Sequence, residues 1–137
     1  MSPGLGIHPL LYRFVRYCVN RAYLNLDDSK LSADERYSLE TILQNIRQAE
    51  DEWQSVDDVI KFISEEIPRI YRQALERLPE GIVDELFKNI LNNCKDLDEV
   101  RTNPKILSAI DEVLNRLGEV KKKLLKESRT RIYEPSA

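Results

Sequence analysis

The residues of this chain whose types could do chemistry are few: one histidine, His8, two cysteines, Cys18 and Cys94, and paired carboxylates at Asp57/Asp58, Glu65/Glu66 and Asp84/Glu85. A catalytic histidine needs a nucleophile or carboxylate held against it. His8 stands beside Pro9 in a segment that also holds Pro3, Gly4 and Gly6, with no such partner arranged around it. His8 precedes every arginine, so the Arg-x₄₋₆-His pattern of helical-bundle ribonucleases is absent. No Glu-x-x-His pair is present, so a di-iron site has no ligands. No glycine-rich phosphate loop occurs either.

Carboxylates three or four residues apart on an inward helix face can hold Mg²⁺. Here Asp57 and Asp84 read as helix-start acids, which the helix dipole favours. Glu65 and Glu66 fall off the apolar stripe of their helix and read as solvated. The cysteines lie among apolar residues at helical spacing, which suits small buried hydrophobes in a reducing compartment rather than a disulfide or a metal site. The residues therefore predict no enzyme, no cofactor and no metal.

Three surfaces remain as candidates for partners. The first is basic. Arg13, Arg16, Tyr17 and Arg21 recur opposite an apolar stripe, and Lys121, Lys122, Lys123, Arg129 and Arg131 crowd the C-terminal end. If their helices were neighbours, these residues would make one positive patch able to bind phosphates or an acidic partner. The second is Trp53, in a turn with Glu50, Asp51, Glu52, Asp57 and Asp58, where an aromatic within a charged rim resembles a protein-binding hot spot. The third is a heptad seam of Ile106, Ile110, Val113, Leu117, Val120 and Leu124, flanked by Leu107, Leu114 and Leu125. A helix apolar over so wide an arc must be covered on two sides, and a second copy of the chain can supply one of them.

The elements that position these residues are helical throughout. Leu11, Phe14, Val15, Cys18, Val19 and Ala22 form the apolar face of a first helix, stopped by Asp27-Asp28-Ser29. Ser32-Ala33-Asp34-Glu35 is a capping box that starts a second helix, running to about Trp53. The third, from about Val56 to Leu78, keeps its apolar phase across Pro68, which predicts one helix kinked at the proline. The pairs Ile82/Val83, Leu86/Phe87 and Ile90/Leu91 give a fourth helix a stripe wide enough for a central place. Residues 95–103 read as a polar connection with a short turn near Leu97–Val100. Asn103-Pro104 caps a last helix that reaches about Glu127.

A chain of 137 residues is one domain's length. With 42% hydrophobic and 33% charged residues, it belongs with ordinary globular proteins. No run of about 18 apolar residues is present, so no membrane span is expected, and no export signal is legible at the N-terminus. A cytoplasmic location follows from these readings and from the unpaired cysteines. Charge is segregated: +3 over residues 1–26, −10 over 27–112, where 21 acids face 11 bases, and +4 over 113–137.

The sequence thus predicts an all-α, single-domain antiparallel bundle of four to five helices over residues 9–128. A loose segment (1–8) precedes it and a basic tail (129–137) follows. The expected role is a non-catalytic protein–protein interaction or regulatory module that self-associates as a homodimer. The other reading, a small protein that binds nucleic acid through the basic patch, is disfavoured by a pI of 5.3.

Overall fold

The computed structural model describes residues 9–133, with side chains placed through residue 127. His8, the rest of the N-terminal segment and residues 134–137 lie outside the described residues, as do the side chains of Arg129 and Arg131. Six helices and no strand occur among the described residues. Helix α1 covers residues 10–24 as α-helical Leu10–Arg13, a π-helical stretch Phe14–Val19 and α-helical Asn20–Leu24. Helix α2 is Ala33–Glu50. Helix α3 covers 56–77, with Val56–Lys61, a π-helical stretch Phe62–Glu66 and Ile67–Arg77 in succession. Helix α4 is Glu80–Lys95, α5 the single turn Asp98–Arg101, and α6 Pro104–Tyr133.

The helix count exceeds the expected four to five because the short turn foreseen near Leu97–Val100 closes as a helix of its own. Val100 is buried there and Asp98 and Glu99 fill the first turn. The last helix continues past its expected end near Glu127 to Tyr133.

Local chemistry sets most boundaries. Ser32 Oγ accepts the Glu35 N–H at 3.1 Å while Glu35 Oε1 accepts the Ser32 N–H at 2.9 Å, so two otherwise unpaired donors are satisfied reciprocally. Asp58 Oδ2 accepts from the N–H groups of Gln54 and Ser55 at 2.8 and 3.1 Å, which starts α3. Asp27 Oδ1 takes the Ser29 N–H at 3.1 Å and turns the chain after α1. Asn103 Oδ1 accepts the Lys105 N–H at 3.1 Å, with Pro104 at the first helical position.

Pro68 does not divide α3. A π-helical stretch precedes it, in which the Ile67 N–H reaches the Phe62 carbonyl, and the helix then continues to Arg77. Proline has no N–H for the carbonyl four residues earlier, that of Ser64. That oxygen accepts Arg116 Nη1 of α6 at 2.9 Å. The π stretch of α1 is braced in the same way: the Cys18 carbonyl accepts Asn93 Nδ2 of α4 at 3.3 Å. Side chains entering the backbone ladder are an identified cause of irregular helical turns.

Each fully buried residue among those described is hydrophobic, and all six helices contribute to one core. Helix α4 takes the central place its wide stripe predicted. It packs against α1, α3, α5 and α6 and buries Val83, Leu86, Phe87, Ile90, Leu91 and Cys94. Burial of each large aliphatic side chain contributes about 1.5–3 kcal/mol.

Candidate functional site

The two basic segments share α3 and α4 as principal neighbours, but α1 and α6 are not principal neighbours of each other. Helix α1 lies on α2, α3 and α4, whereas α6 lies on α3, α4 and α5. Several of the bases are occupied within the chain. Arg13 Nη1 donates to Glu99 Oε1 at 2.6 Å and ties α1 to α5. Its guanidinium carbon stands 5.6 Å from the centre of the Tyr17 ring, and that of Arg21 stands 5.2 Å from it. Arg21 Nη1 also donates to the Tyr17 hydroxyl at 3.0 Å. Arg16 is exposed, close enough to Glu50 to favour that carboxylate. Lys122 and Lys123 are exposed on α6.

Lys121 has a different role. Its Nζ donates to Asp84 Oδ2 at 2.6 Å and pairs with Glu80, both on α4. Asp84 also accepts the hydroxyl of Tyr71 on α3. Three helices therefore meet at one carboxylate. Partial burial would raise the Asp84 pKa, but the Lys121 ammonium and the Tyr71 hydroxyl prevail and hold it below the usual range. Desolvation and the neighbouring carboxylate push the Tyr71 hydroxyl well above the ordinary tyrosine value. The hydrogen bonds to Asp84 and Glu80 raise Lys121. Each pKa moves further from neutral pH, and the contacts tie α3, α4 and α6 together as a clamp. From the sequence, Asp84 reads as a helix-start acid and Lys121 as a member of the basic patch, with nothing to join them. One signal was legible: a tyrosine inside an apolar stripe needs a partner for its hydroxyl.

Trp53 is half-buried. Its ring meets those of Phe14 and Phe62 edge-on, with centroids 5.5 and 5.2 Å away, and the two phenylalanines are 6.1 Å apart. This aromatic trio closes one end of the core, where α1, α3 and the α2–α3 turn meet. Trp53, Phe62 and Ile70 also line an open groove of about 390 Å³ whose rim includes Glu52, Lys61 and Glu65. Of the five acids around the turn, Asp58 serves as the helix cap, and its carboxyl is held low chiefly by the Gln54 N–H. Glu50 is partly desolvated, which raises its pKa despite the nearby Arg16.

The heptad seam divides in two. Ile106, Ile110, Val113 and Leu117 are buried. Beyond Leu117 no residue described on α6 is buried, although Val120 and Leu124 continue the seam at half exposure. Leu107 and Leu114 are also half-buried and pack against the core. Leu125 is 46% exposed. Leu24 at 80% and Tyr37 at 73% are more exposed still and were not singled out by sequence. Among the described residues, no helix is long and apolar enough to cross a membrane, and no three His, Cys, Asp or Glu side chains are grouped to hold a metal ion.

No protein-family model matches the chain, and no curated protein or solved structure matches it significantly.

Proposed function

We propose that this protein is a non-catalytic interaction module, a helical bundle that self-associates as a homodimer through the second half of α6. The observation that carries this reading is that full burial on α6 stops at Leu117. Val120 packs against the core only partly buried, Leu124 is half-exposed, and the flanking Leu125 is 46% exposed. Apolar surface left at the edge of a core favours a further contact. Exposed charges of both signs border this stretch of α6, Glu119 before it and Lys122 and Lys123 within it, so a second copy does not bring like charge alone.

Leu125→Glu is the variant that tests this. At 46% exposure, Leu125 lies outside the chain's own core, so the change should leave helicity intact. Light scattering should give a dimeric wild type and a largely monomeric variant. A wild type that stays monomeric at high concentration removes the proposal.

The other reading, nucleic-acid binding, draws on exposed Lys122 and Lys123. It is weakened by the internal pairing of Arg13 and Lys121. Retention on heparin that falls steeply with salt would favour it. A reducing, cytoplasmic setting suits the two free thiols.

A further inference from the structure

Cys18 and Cys94 are 76 positions apart in sequence, yet the fold brings them together. Helix α1 packs along α4, the residue beside Cys94 donates to the Cys18 carbonyl (Asn93 Nδ2, 3.3 Å), and the Cys94 thiol lies close enough to act on that of Cys18. Both side chains are fully buried and free. The rest of the core is built from hydrophobic side chains without another thiol. Cys18 lies in the π-helical stretch Phe14–Val19, a rare geometry that recurs at functional positions.

We propose that Cys18 and Cys94 are an oxidisable pair, at which peroxide or a small-molecule disulfide joins α1 to α4 through an intramolecular disulfide. With peroxide, the S–S bond forms as two S–H bonds and the O–O bond break. The sulfurs are oxidised and the peroxide is reduced to two waters. With oxidised glutathione, one thiol first forms a mixed disulfide. The second thiol then displaces glutathione, so that two glutathione thiols are released in all. The reacting species is a thiolate. The nearby Cys94 thiol, together with burial, pushes the Cys18 thiol above the ordinary cysteine range, with Arg13 lowering and Asp96 raising it. The closed fold therefore makes the pair slow to react, which bears on the rate of oxidation and not on its equilibrium. Oxidation proceeds when α1 lifts from α4, and reclosure aligns the sulfurs. The product locks α1, the helix that carries Phe14 of the aromatic trio, onto the central helix.

The test is an equilibrium one on the full chain. Wild type is equilibrated with glutathione redox buffers of graded ratio, once in native buffer and once in concentrated urea, then acid-quenched and weighed. Native chain should become about two mass units lighter, without forming dimers, at a ratio at least about tenfold more reducing than the unfolded chain requires. The oxidised chain should melt at least about 5 °C higher than the reduced one. Thiols that the fold protects, so that native chain needs equally or more oxidising buffer than unfolded chain, overturn the proposal. A lower melting temperature after oxidation, a mixed disulfide that never closes, or the same mass loss in Cys94→Ser overturns it equally.

Discussion

Arg116 Nη1 donates to the main-chain carbonyl of Ser64 at 2.9 Å, and Ser64 stands four residues before Pro68. The acceptor that proline leaves without its helical donor is thus served by a side chain from a helix about fifty residues further on. This contact lets α3 keep its apolar phase through an internal proline and ties α3 to α6 at the same point. The contact is solvent-exposed, so its worth is that of an ordinary hydrogen bond.

Removal of that donor should be visible and repairable. Arg116→Ala is expected to cost about 1 kcal/mol in chemical denaturation. Pro68→Ala restores an N–H at position 68, and in that background the same change should cost less by about 0.5 kcal/mol or more. Additive costs would mean that Arg116 acts independently of the proline.

The clamp at Asp84 sets a pH window. Its folded-state pKa is lowered, so its contribution is present above the unfolded value of about 3.9 and fades as pH falls through the folded value. Lys121 is raised, so its share is present below about 10.4 and is lost as pH rises through its folded value. Asp84→Asn should lower Tm across that interval, with the difference from wild type closing below about pH 4. Tyr71→Phe removes one hydrogen bond and should cost about 1 kcal/mol at neutral pH. Parallel melting curves for Asp84→Asn and wild type down to pH 2 would show that Asp84 contributes nothing through its charge.

The core face of α4 offers the simplest contrast. Ile90 is fully buried, and Ile90→Ala should cost about 2–5 kcal/mol in urea unfolding. Glu65 is exposed, and Glu65→Ala should change stability by less than about 0.5 kcal/mol. Similar costs for the two would misassign the faces of α3 and α4.

The sequence by itself determined what local chemistry determines. Periodicity of apolar residues specified the all-helical class, the inward faces and the central rank of α4. The capping groups at Ser32 and Asn103 marked helix starts to the residue, because the atoms that cap a helix lie within a few positions of the groups they satisfy. Burial of Cys18 and Cys94 was legible for the same reason, from the company each keeps along its own helix.

Tertiary structure alone decided everything that depends on which helices meet. The Tyr71–Asp84–Lys121 clamp, the Asn93 and Arg116 braces and the Cys18–Cys94 contact each join residues at least 13 positions apart. A helical stripe states that a face is covered but not by which neighbour. The basic segments show the consequence: they would form one surface only if their helices were neighbours, yet α1 and α6 are not principal neighbours, and Arg13 and Lys121 stand in internal ion pairs. The two π-helical stretches were equally hidden. In α1 the buried residues Phe14, Cys18 and Ala22 step by four, which fits an α-helical turn and a wider one alike, and the side chains that brace each stretch come from another helix.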